Sequence, residues 1–309
     1  MPHFPTRPSK PLNISSPHPN YSGNLILTRR KGLGDVLLAL PVAQALKRKF
    51  PRSSLFFRTS HELASLVSRF SFLSGVLTNS LSVFDPIGSI EINLHRGYIE
   101  HLAGHRMLHF ARLANITSDF KKNCEFKASS IERNLAVEVL ANKGIKNLKN
   151  LVGIAMHATT PLRCWKGEQG LVKTLLKLGL TPVLLRKIPY ENSFPRGVVD
   201  TSGTLSIEEL TGLISYLSLL ISVDSGILHL AGFLGIPTVC LFGPFLPEDR
   251  IAYYDNFWPL VSPDPKCSDF PCLGRPSQKC NISYPTCMSS LSVDMIKKQV
   301  LNHAQIWQK

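Results

Sequence analysis

Apolar residues along this chain fall into short unbroken runs separated by stretches with helical spacing. The runs at 24–28 (NLILT), 54–58 (SLFFR), 151–156, 181–185, 219–223 and 238–242 read as buried strands of parallel sheets. Shorter strands are expected at 75–78, 89–94 and 125–128. After the first run, Val36, Leu37, Leu40, Ala43 and Leu46 keep helical spacing, and Lys47, Arg48 and Lys49 occupy the last turn. Pro41 lies inside that pattern and predicts a kink or a break. Further helices are expected over 61–70, 101–116, 131–143, 167–178 and 293–307. Ser206-Ile207-Glu208-Glu209 is a capping box, and the stripe behind it is Ile207, Leu210, Leu213, Ile214 and Leu217. Strands alternating with helices imply parallel sheets covered on both faces. The pattern restarts after a polar connector at 144–150.

The expected fold is therefore α/β, with two Rossmann-like domains facing a cleft. Residues 1–22, rich in Pro and Ser, are expected to form a disordered arm. Residues 23–147 make the first domain and 148–290 the second. A C-terminal helix over 291–309 would return toward the first domain.

Two polar turns interrupt this framework where an α/β sheet binds ligands, at the carboxyl ends of strands. In the second half, the run 219–223 ends abruptly in Asp224-Ser225-Gly226, and a helix follows with His229 on its first turn. Backbone N–H groups and the helix dipole at such a turn suit phosphate. His229 can equally be a packed helix histidine. In the first half, the turn is Gly32-Leu33-Gly34-Asp35. A dinucleotide fingerprint would need a third glycine where Leu37 stands, so that reading fails. Gly32 and Gly34 instead allow a tight turn or a close approach to a ligand. Asp35 stands where a helix N-cap is expected and can also present a carboxylate to the cleft.

Composition agrees with a folded chain of two domains: 309 residues, 44% hydrophobic and 18% charged. No apolar run is long enough to cross a bilayer, and the N-terminus lacks the apolar centre of a secretory signal. The net charge of +14 is uneven. Residues 1–150 hold 21 lysines and arginines against 9 acids, a net of +12; residues 151–309 hold 14 against 12, a net of +2. The first half thus favours an anionic partner, such as a glycolipid or membrane surface. Its basic residues lack the interleaved aromatics of a single-strand-binding face, so no nucleic-acid partner is expected.

Seven cysteines, an odd number, fit a reducing cytoplasm. Cys267, Cys272, Cys280 and Cys287 cluster in a Pro- and Ser-containing tail. Their spacing lacks short paired C-x2-C knuckles, which leaves structural zinc and reduced thiols both open. His95, His101, His105 and His109 have no carboxylate or cysteine companions at ligand spacing. No catalytic metal is expected.

Four segments together resemble glycosyltransferase family nine, the bacterial heptosyltransferase family. They are Leu27-Thr28-Arg29 through Gly34-Asp35-Val36, with Pro41 and Phe50-Pro51; Arg163-Cys164-Trp165; Val199-Asp200-Thr201-Ser202-Gly203 to Leu210; and Asp224-Ser225-Gly226-Ile227-Leu228-His229, with Gly235, Pro237 and Phe242-Gly243-Pro244. The resemblance implies the two-domain GT-B glycosyltransferase fold. It also implies inverting transfer of a sugar, heptose by default, to a lipopolysaccharide-core or related glycan acceptor at the inner face of the membrane. By resemblance, Asp35 is the catalytic base and Glu191 contacts the nucleotide ribose. Arg163, with Ser225 and Gly226, holds the donor diphosphate, while Asp224 binds sugar hydroxyls and His229 supports the turn. Arg163 replaces the family's usual Lys. Arg186, Lys187 and Ile188 replace the glycines that commonly precede the acid. The donor implied is ADP-heptose and no cofactor is required. A sugar-nucleotide epimerase of similar fold, a non-catalytic nucleotide- or glycan-binding homologue and, on the charge alone, a nucleic-acid-binding protein are the alternatives.

Overall fold

The computed structural model describes residues 20–78, 85–95, 104–116, 126–189, 193–261, 270–272 and 286–307. The first sheet contains β1 (Asn24–Thr28), β2 (Ser54–Arg58), β3 (Gly75–Leu77) and β4 (Ile90–Asn93), in the order β3-β2-β1-β4. The second contains β5 (Leu151–Ala155), β6 (Thr181–Leu184), β7 (Val199–Asp200), β8 (Leu219–Val223), β9 (Thr238–Phe242) and β10 (Phe257–Val261), in the order β10-β9-β8-β5-β6-β7. Every pairing in both sheets is parallel. Strands β5, β8 and β9 are buried along their whole length, as their uninterrupted apolar sequences require.

The helices are α1 (Leu33–Lys49), α2 (His61–Ser68), α3 (Arg106–Leu113), α4 (Ser130–Asn142), α5 (Glu168–Lys177), α6 (Ile207–Ser215), α7 (Gly226–Phe233), α8 (Glu248–Ile251), α9 (Thr286–Ser289), α10 (Val293–Asn302) and α11 (Ala304–Trp307). A 3-10 turn spans Pro161–Arg163. The strand order places the functional turns. In the second sheet, the chain runs outward from β5 through β6 to β7 on one side and through β8, β9 and β10 on the other. The switch point lies between β5 and β8, so the turns after these strands flank the crevice where such sheets bind ligands. In the first sheet, β1 lies between β2 and β4, and the turn after β1 opens α1.

Several expectations are corrected. Pro41 does not break α1: eleven residues of this 17-residue helix are buried, and that packing outweighs the cost of about 3 kcal/mol for an internal proline. Asp35 is not the N-cap; Gly32 takes that position at φ 86°, and Asp35 lies inside the first turn with its side chain engaged elsewhere. Residues 126–128 form no strand. Their contact with the core is a bond from the Phe126 amide to the Phe233 carbonyl, 3.2 Å, and the aromatic packing around Phe126. The final helix is interrupted at His303. It packs on α5, β9 and β10, where Ile296 and Val300 join the second sheet's core, rather than returning to the first sheet. The arm at 1–19 lies outside the described residues.

Helices from the two halves also pack together. Helix α4 lies on α6, and α1 lies on α7. At the first contact Gly212 is essential: a β-carbon there would sit 1.9 Å from the Glu132 carbonyl oxygen.

Candidate active site

The turn after β1 and the turn after β8 meet. A β-carbon at Gly34 would fall 2.5 Å from His229 Cδ2 and 3.5 Å from the Gly226 Cα. One at Gly226 would fall 2.9 Å from Leu33 Cβ and 3.3 Å from the Gly34 nitrogen. Two helix N-termini, α1 and α7, can approach this closely only because both contact positions lack side chains. Each turn brings one carboxylate, Asp35 from the first half and Asp224 from the second.

Asp35 is held between two guanidiniums, Arg29 at the end of β1 and Arg106 at the start of α3. Burial alone would raise its pKa, but Arg106 and Arg29 outweigh burial and the net shift is downward. Asp35 is therefore ionised at neutral pH. Asp224 is 4% exposed. Its Oδ2 lies 3.3 Å from Arg163 Nη1 and 3.3 Å from Arg250 Nε, and its Oδ1 lies 3.9 Å from His229 Nε2. Arg163 also donates to the Asp224 carbonyl at 3.2 Å and to Thr160 Oγ1 at 3.3 Å. Here too burial works to raise the carboxyl pKa, and Arg250, Arg163 and His229 bring it down to about 2. His229 stays neutral: burial pulls it to about 4 against the opposing pull of Asp224. Its Nδ1 is 2.9 Å from the Tyr254 hydroxyl.

Secondary structure explains these placements. Ser225 is the N-cap of α7, accepting the Leu228 N–H at 3.4 Å, so Asp224 sits just outside the positive end of that helix. The Arg250 guanidinium stacks on Phe245 at 4.0 Å, which fixes it over Asp224. A second seam between the halves steadies Arg106 and Arg250. The Gly104 amide donates to Asp249 Oδ1 at 2.8 Å, and His105 Nε2 lies 3.1 Å from the Arg250 carbonyl. Four guanidiniums thus surround Asp35 and Asp224, with Asp249 beside Arg250, which leaves a positive excess beside a neutral imidazole.

A cleft of about 1200 Å³ adjoins this cluster. Its walls include Leu33, His61 and Glu62 from the first half and His157, Arg163 and Gly226 from the second. Of the residues expected at a site, Gly34, Asp35, Asp224, Gly226 and His229 come together at the meeting turns, with Arg163 and Ser225 beside them. Gly32 shapes the α1 turn from outside, its left-handed φ closing over Asp35. Glu191 lies outside the described residues, as do Cys267 and Cys280. Cys272 and Cys287 are half-buried, and among the described residues no group of three His, Cys, Asp or Glu side chains could hold a metal. Arg29, Arg106, Arg250 and Tyr254 were not singled out from sequence. A buried arginine beside an aromatic, as in Phe245-x4-Arg250, is the one signal that could have marked Arg250.

Residues 185–273 match the model of glycosyltransferase family 9 (heptosyltransferase). The matched segment includes the Asp224-Ser225-Gly226 turn, His229 and Arg250. No curated protein matches the chain in sequence. Solved structures do match in fold. The glycosyl transferase family 9 structure from Veillonella parvula superposes with a TM-score of 0.70 at 17% identity, covering 92% of this chain and 97% of that one. The Escherichia coli ADP-heptose lipopolysaccharide heptosyltransferase II gives 0.68 at 11%, covering 90% and 98%. The iron-containing dodecameric glycosyltransferase TibC, from enterotoxigenic E. coli, gives 0.70 at 17%, covering 93% and 77%. These likenesses establish the GT-B-type architecture of two parallel sheets for this chain. Among the described residues, no helix is long and apolar enough to cross a membrane.

Proposed function

We propose that this chain transfers a sugar, with inversion, from a nucleotide-diphosphate sugar to an anionic glycan or glycolipid acceptor. The observation that carries the reading is the cationic excess at the meeting turns: four guanidiniums around Asp35 and Asp224, at the N-terminus of α7. A site of this charge favours an anionic ligand, and the leaving diphosphate of a sugar nucleotide gains charge as its glycosidic bond breaks. Two related folds are solved with ADP-D-beta-D-heptose and with ADP, respectively, which makes ADP-heptose the first donor to test.

In this reading, Arg163 and the Ser225-Gly226 turn take the diphosphate, Glu191 takes the ribose, and His229 with Tyr254 braces the turn. Asp224 orients Arg163 and Arg250 and accepts from sugar hydroxyls. The acceptor oxygen attacks the anomeric carbon, the bond to the diphosphate breaks, and the acceptor's proton passes to Asp35. A carboxylate clamped by two arginines is a weak base. Its basicity rises when the acceptor hydroxyl displaces Arg106, so proton transfer is coupled to acceptor binding. No step needs a metal or cofactor, because the fixed cations and the helix end meet the developing charge. The basic first half suits a phosphate-bearing acceptor, and work at the inner face of the membrane, in the cytoplasm, fits that charge.

Thermal unfolding in the presence of ADP, ADP-heptose and other sugar nucleotides tests the donor reading. An ADP ligand at 100 times its Kd should stabilise by about 2.7 kcal/mol, and Arg163→Gln should remove most of that shift. Absence of stabilisation by every nucleotide contradicts the reading.

A further inference from the structure

Beside the cleft lies a group of one cysteine, one histidine and one glutamate that the transfer chemistry does not use. The loop after β5 closes on itself: the Trp165 amide bonds the Met156 carbonyl at 3.0 Å, and Trp165 Nε1 bonds the Leu291 carbonyl at 2.8 Å. Cys164 is thereby held inside the loop, half-buried, one residue from Arg163. Its sulfur accepts the Ala158 N–H at 3.4 Å and lies 3.4 Å from the Ala158 carbonyl oxygen and 3.7 Å from that of Thr160, in the same loop as the His157 imidazole. His157 Nε2 lies 2.7 Å from Glu168 Oε1 in the first turn of α5. The order thiol, imidazole, carboxylate is the one that activates a cysteine.

We propose that Cys164 is a reactive modification site at the rim of the cleft, where the thiol, paired with His157 and backed by Glu168, is oxidised by peroxide to a sulfenic acid. The thiolate sulfur attacks one peroxide oxygen and the O–O bond breaks. The departing hydroxide takes a proton from the His157 imidazolium and leaves as water. Sulfur is oxidised, peroxide is reduced, and His157 ends neutral. The environment supports the ion pair. Donation to Cys164 and Glu168 lifts His157 to about 9, against burial and the Arg186 charge. Burial works to raise the Cys164 thiol, but His157, the Ala158 amide and Arg163 outweigh it and the net shift is downward. The other buried thiol shows the contrast: Cys240, in the middle of β9, is raised by burial and has no imidazole beside it. This assignment does not depend on the sugar-nucleotide reading.

The test is peptide-resolved alkylation of the full chain by iodoacetamide between pH 5.5 and 9, with dimedone trapping after hydrogen peroxide. Cys164 should label with a midpoint below the ordinary thiol value of about 8.5. It should also form the dimedone adduct. His157→Gln should move the midpoint up and slow labelling at pH 7 by about tenfold or more, and Glu168→Gln should move it the same way by less. An unlabelled Cys240 in each variant reports that the core is intact. A wild-type midpoint at or above 8.5, a midpoint indifferent to His157→Gln, or no dimedone adduct overturns the proposal.

Discussion

His229 shows how a single side chain at the site couples function to stability. Buried and neutral, it has a pKa depressed from 6.5 to about 4. Between those values an unfolded chain binds a proton at this position and the folded chain does not, so stability falls as pH drops from 6.5 to 4. The contribution is on the order of 3 kcal/mol. Urea unfolding across that window should show the slope, and His229→Asn should flatten it by about one proton; an unchanged slope would contradict the buried neutral imidazole. The residues of this site differ in how legible they are. Asp224, Ser225, Gly226 and His229 are contiguous and follow an apolar strand, so local pattern places them at a sheet edge. Arg106 reaches Asp35 from 71 positions away, and no periodicity couples such distant residues. The Asp35 environment was therefore hidden, and with it the reason this carboxylate is not a helix cap.

Elements were more legible than their ends. Strands β1, β2, β8 and β9 have the bounds expected from their apolar runs, because a fully buried parallel strand stops where polar residues begin. Helices were overextended: α2 stops at Ser68 and α3 spans only Arg106–Leu113, since spacing continues past the point where packing does. Pro41 was misleading for the opposite reason, as burial on α3 and α7 holds α1 together. The packing of α4 on α6 was not legible at all, because it depends on a glycine whose absent side chain leaves no signal. Gly212→Ala must push the α4 backbone away. The expected cost is about 1–3 kcal/mol or more, read as a lowered urea midpoint. An unchanged midpoint would contradict this contact.

At the scale of the molecule, two parallel sheets present their carboxyl edges to each other, and the glycine turns let those edges touch. The charge asymmetry between the halves was visible from composition. The concentration of four arginines on two carboxylates was not. That cluster joins residues from β1, α3, the loop after β5 and α8, so it exists only once both sheets are built. In the proposed transfer, the two carboxylates have separable duties, donor side for Asp224 and proton acceptance for Asp35. The direct measurement is release of ADP from ADP-heptose in the presence of a lipopolysaccharide-core acceptor, comparing the native chain with Asp35→Asn. Donor binding by calorimetry should stay within a few-fold, while turnover falls by ~10²–10⁴-fold. Unchanged turnover in Asp35→Asn would contradict the account.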